Sequence, residues 1–279
     1  MKLNTVAEKA QTLLLKETAG DSQCAVLLSN GVDSNSLVAS LVRNGRKPLV
    51  VSFRLNGWES TDWLGAKRVA EKLNLEFIDI QLPTDIETIF KDVKYAIKIL
   101  HLKKKANIEC AVPLKYALDK VFELGIKDVY SGLGADGQYA ESRKAHIAVR
   151  KDKAENNAEW LEAFRAKYYS QENPACTKTM RLYFESIGGR LIMPYLNPEF
   201  LEVYRGVTHN EMHKPIVKMP IRIAFPEMAE WKPGNRNTNL QLGDSKIAKN
   251  YEQLLNSSYN LHNYKAVIGI YNSIVREEL

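Results

Sequence analysis

The chain has little cysteine and no long apolar segment. Its 279 residues include three cysteines, which are widely spaced and form no CxxC pair: Cys24, Cys110 and Cys176. This spacing argues against a zinc module or a disulfide framework and favours cysteine as buried apolar filler. No stretch approaches the roughly 20 apolar residues that a transmembrane helix needs. The first residues also lack a signal-peptide pattern, so we expect a cytoplasmic protein with no membrane partner.

Charge is the next constraint on function. Apolar residues make up 45% of the chain and charged residues 26%, which is the balance of a globular protein with a sizeable core. The formal net charge of +6 suits a nucleotide, an acidic substrate or a nucleic acid. Aromatic residues do not interleave with the basic runs at residues 103–105 and 143–153, so nucleic acid is the less favoured partner. Spare lysines on a solvated surface are the favoured explanation of the charge.

Strands and helices alternate through the first half. Residues 1–20 have the apolar spacing of an amphipathic helix. We predict strands at residues 25–28, 49–53, 76–80 and 129–130, separated by helices at residues 34–43, from a cap at Thr61 or Asp62, at 84–100 and at 112–124. This alternation predicts an α/β fold, a doubly wound parallel sheet with helices on both faces. Ligands bind such sheets at the carboxyl ends of the strands.

The second half is mostly helical. Residues 139–205 follow a helical pattern with a break at residues 188–189 and an apolar piece at 191–193, and residues 251–278 close the chain with helix. Between them, the proline, glycine and asparagine content of residues 226–246 indicates a loop that orders on a ligand. We divide the chain into an N-terminal helix (1–20), an α/β core (21–150) and a helical C-terminal part that completes the site (151–279).

Residues 25–34 carry the strongest functional signal. A short apolar strand runs into a turn of small polar residues, and a helix follows at once. Unpaired N–H groups at a helix start suit an anion, and Ser29 and Ser34 add hydroxyl donors. Gly31 lets the backbone approach a phosphate. Asp33 would repel that phosphate unless a Mg²⁺ ion lies between them.

The same segment also fits a simpler interpretation. It could be an ordinary helix N-terminus with Ser and Asp capping, and the loop alone supports both interpretations equally. It is not a Walker A motif, because the Gly-Lys-Ser/Thr ending is missing.

The loop resembles the Ser-Gly-Gly-x-Asp-Ser loop of the ATP pyrophosphatase (PP-loop) superfamily. Asn30 replaces the first glycine, and because asparagine tolerates positive φ we expect the turn to survive. A second segment, residues 131–139, resembles the Ser-Gly-Glu-Gly-Ala-Asp-Glu segment of the asparagine synthetase C-terminal domain. Further resemblances follow in the same order at Asp62, Ala66, Val69 and Ala70, at residues 193–197 and at residues 218–222. The resemblance covers about residues 20–245 and implies an adenine nucleotide alpha hydrolase-like fold.

The resemblance implies a specific chemistry. ATP is cleaved between its α and β phosphates, a small-molecule carboxylate becomes an acyl-adenylate, and ammonia or an amine attacks the acyl carbon. Asp33 and Asp136 would hold Mg²⁺, and Lys218, Asp136 and Arg222 would be catalytic. The nucleotide would contact two turns and two strand ends: Leu28, Ser29, Asn30, Gly31, Val32, Asp33, Ser34, Phe53, Ser131, Gly132 and Leu133. In the simpler alternative, Asp136 is a helix cap, and Lys218 and Arg222 are surface residues.

Two departures from the family bear on the second step, the attack of ammonia or an amine on the acyl carbon. Leu133 stands where the family has Glu, and Gly137 stands where a second Glu follows Asp136, so two acids are missing from one loop. Asparagine is therefore not predicted as the product. Because the ATP loop begins at Ser29, we expect no glutaminase domain here. Ammonia would then be free or come from a separate glutaminase partner. Alternatively, a substrate amine would replace ammonia. Two other functions stay open: a PP-loop enzyme that modifies a nucleic-acid base or nucleotide, and a nucleotide-binding protein with impaired catalysis.

Overall fold

The computed structural model describes residues 2–234, 240, 243–258 and 264–276. The strands are β1 (Cys24–Leu27), β2 (Leu49–Leu55), β3 (Phe77–Leu82), β4 (Asp128–Ser131) and β5 (Arg190–Ile192). The helices are α1 (Lys2–Glu17), α2 (Val32–Arg43), α3 (Thr61–Lys72), α4 (Ile86–Lys98), α5 (Lys105–Glu123), α6 (Ala135–Tyr139), α7 (Arg143–Lys151), α8 (Ala158–Tyr169), α9 (Thr177–Ser186), α10 (Glu199–Val203), α11 (His209–His213), α12 (Met219–Ala224), α13 (Ile247–Ser258) and α14 (Tyr264–Val275). Among the described helices, none is long and apolar enough to cross a bilayer.

The five strands form one parallel sheet in the order β3-β2-β1-β4-β5. The chain builds outwards from β1 to β3 and then returns to the other side of β1 with β4. β1 and β4 are therefore the strands between which the winding direction changes. In open α/β sheets, ligands bind at the carboxyl ends of the strands at this switch point.

Helices cover both faces of the sheet, which confirms the predicted doubly wound fold. Val26 and Tyr130 point into a core shared with α1, α2 and α12, whereas Ala25 and Val129 point into a core shared with α4, α5 and α9. Successive residues of a strand face opposite sides, so the continuous apolar runs of β1 and β4 are buried from both directions.

Several predicted boundaries differ from the structure. Ser60, rather than Thr61 or Asp62, caps α3, and its side chain accepts the N–H of Trp63. α5 begins at Lys105, seven residues before the predicted start, and contains Pro113. The apolar piece after the Gly188-Gly189 break is a strand, β5, which pairs with β4 although it lies beyond the predicted core boundary. The three-part division of the chain stays a prediction.

The end of the chain is described in part. Residues 226–231 form a 3-10 helix, so the predicted loop is ordered there, while residues 235–239 and 241–242 lie outside the described residues. The predicted final helix is two helices, α13 and α14, and residues 259–263 and 277–279 between and after them also lie outside the description.

Candidate active site

A cavity of about 770 Å³ opens at the carboxyl edge of the sheet, where β1 and β4 end side by side. Leu27 of β1 pairs with Ser131 of β4, so the turns that follow the two strands meet at one place. This volume lies within the usual range for small-molecule sites.

Hydroxyl groups of the first turn accept hydrogen bonds from the backbone of the same turn. The N–H of Ser29 donates to Ser34 Oγ at 3.1 Å, and the N–H of Gly31 donates to Ser29 Oγ at 3.1 Å. The residue that caps α2 is Gly31, which has no side chain to cap it. The interpretation as an ordinary Ser/Asp cap is therefore wrong. First-turn N–H groups of a helix have no intrahelical acceptor, so this helix end offers donors to an anion in the cavity.

Asn30 is accommodated for a different reason from the one predicted. It is not among the residues with positive φ, so tolerance of left-handed backbone is not what preserves the turn. Its side chain packs instead where a Cβ at Gly65 of α3 would lie. The turn is further fixed from outside, because the N–H of Asn30 donates to Asp62 Oδ1 and its carbonyl accepts the N–H of Gly234 at 2.7 Å.

Lys218 joins the two turns. Its Nζ lies 2.5 Å from Asp33 Oδ2, at the start of α2, and 3.1 Å from Asp136 Oδ1, in α6. The Lys218 side chain is only 4% exposed, so it is not the surface lysine of the simpler alternative. Lys218 has left-handed backbone angles at the start of α12, and its Nζ lies 5.2 Å from the ring centroid of Tyr139. Two carboxylates 103 positions apart in sequence (33 and 136) therefore face one cation.

The charges of this triad depend on burial and on each other. Burial raises the pKa of Asp33 from 3.8 to about 6, and the Lys218 ammonium opposes that shift. Burial would lower the pKa of Lys218, but the carboxylates of Asp33 and Asp136 outweigh it and raise the pKa above its ordinary value. Lys218 thus stays charged at neutral pH. The site thus holds two carboxyl groups and one ammonium group, and Lys218 and Asp33 are much less exposed than Asp136.

The donor set fits a magnesium ion. Asp33 Oδ1 is buried and has no hydrogen-bond partner among the described residues, so this oxygen can accept a cation. Mg²⁺ prefers one or two carboxylates together with phosphate oxygens, and Asp33 and Asp136 are the residues that would hold it. The ion would supply neutralisation of charge on the phosphates.

The structure brings nearly all predicted site residues together. Asp136, Lys218 and every predicted nucleotide-binding residue line the cavity: Leu28, Ser29, Asn30, Gly31, Val32, Asp33, Ser34, Phe53, Ser131, Gly132 and Leu133. Arg222 is the exception and is not part of the lining. It donates to the carbonyls of Val217 and Gly234 and so secures the backbone beside Lys218. Its catalytic role, like the roles of the others, stays a prediction.

Sequence reasoning missed the residues that helices α5 and α8 contribute to the cavity lining. Ala106, Asn107, Cys110 and Leu114 of α5 line the cavity, and Tyr168 of α8 does so as well. These residues belong to helices without a recognisable motif. Only the sheet topology places them at the site, so no local sequence signal could have identified them.

The position of Tyr168 explains why residue 137 is glycine and not the glutamate of the family pattern. A Cβ atom built at Gly137 overlaps the Tyr168 ring, so the aromatic ring occupies the space that a side chain at residue 137 would need. The other position, Leu133, is half-buried and packs against the apolar core that contains α5. At both positions the carboxylate of the family pattern is therefore absent, and Leu133 and Tyr168 line the cavity instead.

The fold and the site are those of the PP-loop class of ATP-dependent enzymes, with a turn of small polar residues after the first strand and an acidic pair at the switch point. The family model described as Asparagine synthase matches residues 13–220, and the chain belongs to that family. Comparison with curated proteins finds no match. Comparison with solved structures finds NMN synthetase from Francisella tularensis, which is 12% identical, with 84% of this chain and 99% of that chain covered and a TM-score of 0.35. A likeness at that TM-score carries no argument about function.

Proposed function

We propose that the protein is an adenylating carbon-nitrogen ligase. It uses ATP to activate a small-molecule carboxylate and then joins the acyl group to ammonia or an amine, forming an amide. The observation that carries the proposal is the contact of Lys218 Nζ with both Asp33 and Asp136, directly beside the first turn of α2. Family membership supports the use of ATP.

The proposed reaction has two steps. A carboxylate oxygen of the substrate attacks the α-phosphorus of ATP, the bond from that phosphorus to the bridging oxygen breaks, and pyrophosphate leaves with the electron pair. The nitrogen of the amine then attacks the acyl carbon, AMP leaves with the electrons of the acyl–oxygen bond, and the nitrogen loses a proton. The products are an amide, AMP and pyrophosphate.

The residues would act by position and charge. The first-turn N–H groups of α2 would receive the pyrophosphate, because their residues line the cavity and such groups have no intrahelical acceptors. Lys218 would stabilise the negative charge that spreads over the phosphates, since it stays protonated and is pre-positioned in a shielded site. Leu28 and Phe53, at the ends of adjacent strands, would frame the adenine.

Leu133 and Tyr168, which both line the cavity, bear on the second step. Neither residue can accept the proton that the amine loses, and Tyr168 excludes a carboxylate at residue 137. Burial raises the pKa of the Tyr168 hydroxyl to about 12, which keeps the hydroxyl neutral. The proton acceptor is therefore a different group from that of the family pattern, and we do not propose asparagine as the product.

The test is exchange of radiolabelled pyrophosphate into ATP across a panel of amino acids and other carboxylates. Exchange requires reversible adenylation, so a signal that depends on one carboxylate identifies the first substrate. We expect the signal to disappear in Asp33→Asn and Asp136→Asn. Asp79→Asn is the matched control, because Asp79 is also an ion-paired, part-buried acid but lies outside the cavity lining.

Two results would overturn the proposal. One is exchange that persists unchanged in both Asp33→Asn and Asp136→Asn. The other is ATP binding without exchange for any carboxylate, which would favour the nucleotide-binding protein with impaired catalysis. Salt-sensitive binding of a nucleic acid together with exchange only in its presence would support the base-modifying alternative.

A further inference from the structure

A second cluster of chemistry-bearing side chains lies next to the backbone of Lys218. It contains Glu141 and three of the five histidines of the chain, His146, His209 and His213. The ring centroids of His209 and His213 are 4.3 Å apart, and those of His146 and His209 are 5.5 Å apart. The active site does not use any of these residues.

Three separate elements bring the cluster together. Glu141 follows α6, after Ala140 has turned the chain with left-handed backbone angles. His146 lies in α7, and α11 carries His209 and His213 four residues apart, which places them on one face of the helix. Glu141 is 6% and His209 is 8% exposed, so the cluster is largely closed to water.

Two acceptor atoms of this cluster, one from His213 and one from Glu141, face each other. His213 Nε2 lies 2.8 Å from the carbonyl oxygen of Tyr139, which can only accept, so Nε2 carries the proton. In the neutral ring, Nδ1 is therefore an acceptor, yet it lies 3.1 Å from Glu141 Oε2. Glu141 Oε2 and His209 Nε2 are both buried and have no hydrogen-bond partner within the described part of the chain.

We propose that Glu141, His209 and His213 bind one divalent transition-metal ion of the zinc class. Each residue offers one ligand atom, and the three atoms lie within 4.8 Å of one another. Two ligands of a tetrahedral zinc ion with bonds of about 2.0 Å are about 3.3 Å apart, close to the separation of His213 Nδ1 and Glu141 Oε2. His146 lies next to these three residues, with its Nε2 3.1 Å from the other oxygen of Glu141.

The protonation states agree with this assignment. Burial lowers the pKa of His209 to about 4 and that of His213 to about 3, so both rings are neutral and have a lone pair for a metal at neutral pH. The bond from His213 Nε2 to the Tyr139 carbonyl is the partner that a metal-bound histidine normally has on its other nitrogen. His213 Nδ1 also accepts a long hydrogen bond, 3.4 Å, from the backbone N–H of Lys218, and a metal ion at Nδ1 would replace that bond.

The proposed ion has a structural role. It would tie α11 to the segment from Glu141 to His146, and Lys218 follows α11 after only four intervening residues. The ion would thus anchor the segment that presents Lys218 to Asp33 and Asp136. This inference does not depend on the reaction proposed above, because it rests on a different set of residues.

Metal analysis of the purified protein, followed by titration of the metal-stripped protein with zinc chloride, tests the proposal. We expect about one tightly bound ion per chain and a rise in Tm of about 5 °C at a zinc concentration about 100 times the Kd. His209→Asn and the nearly isosteric Glu141→Gln should each weaken binding by about 100-fold or more. Cobalt chloride in place of zinc should give the visible absorption of a tetrahedral site in the wild type and lose it in both variants.

Two controls separate this site from others. His101→Ala removes an exposed histidine from another part of the chain and should keep the ion. Asp136→Asn removes a carboxylate from the proposed magnesium site and should also keep it. The proposal is overturned if the wild type binds no zinc more tightly than Glu141→Gln does, or if Asp136→Asn abolishes binding while folded His209→Asn retains it.

Discussion

Replacing Lys218 with methionine tests how the acidic pair is held in the folded protein. The methionine keeps most of the apolar stem but removes the ammonium group that lies 5.2 Å from the Tyr139 ring centroid and neutralises Asp33 and Asp136. Removing one partner of a buried ion pair costs about 3–5 kcal/mol. Lys218 is 4% exposed, whereas Asp136 is 35% exposed and partly screened, so we expect a loss near the lower end, about 3 kcal/mol at pH 8.

The loss should depend on pH in a defined direction. The folded-state pKa of Asp33 already lies above its ordinary value of 3.8, at about 6, and loss of Lys218 removes the main influence that lowers it. A raised carboxyl pKa stabilises the fold at low pH, and that contribution disappears as pH rises through the folded-state pKa. The variant should therefore be closer to the wild type at pH 5 than at pH 8.

Urea unfolding followed by circular dichroism at both pH values measures this effect. Lys16→Met is the matched control, because it breaks a lysine–glutamate contact of 2.8 Å in which both side chains are mostly exposed, and we expect little change. The reasoning is refuted if Lys218→Met is as stable as Lys16→Met at pH 8, or if its loss of stability is larger at pH 5.

The remaining predictions concern close packing around the site and the second ion. Gly137→Ala should lower the free energy of unfolding by about 1–3 kcal/mol, because the new methyl group overlaps Tyr168, and Tyr168→Ala in the same chain should restore part of it, as measured by urea unfolding. Gly65→Ala should displace the Asn30 side chain and weaken ATP binding in calorimetry, while Gly269→Ala, at an exposed helical glycine where a Cβ meets nothing, should not. Loss of bound zinc in Glu141→Gln, with retention in His101→Ala, should be visible by metal analysis. If a variant and its control show the same stability, ATP affinity or zinc content, the corresponding prediction is wrong.

The sheet and its functional edge could be predicted because they are encoded locally. Short apolar runs alternate with helical periodicity, and a turn of small polar residues follows the first run, so a parallel sheet with a ligand edge is strongly indicated. The meeting of Asp33 and Asp136 follows from the same logic, since the carboxyl ends of neighbouring parallel strands lie together. β5 was missed as a strand because three residues after a glycine pair carry too little pattern to be distinguished from a loop.

The rest of the site depends on tertiary packing. The reason Asn30 is tolerated lies in α3, where Gly65 leaves room for its side chain, and the reason residue 137 is glycine lies in α8. The cluster of Glu141, His209 and His213 combines residues about 70 positions apart that share no motif, so spacing alone could not indicate a metal site. These features become visible only when the helices are placed around the sheet.

Calorimetric titration of the protein with ATP, in the presence and absence of Mg²⁺, tests the central claim most directly. The account predicts that Mg²⁺ strengthens ATP binding to the wild type and that this gain disappears in Asp33→Asn and in Asp136→Asn, with Asp79→Asn unchanged. ATP binding by the wild type that is equal with and without Mg²⁺, or that is absent under both conditions, would contradict it.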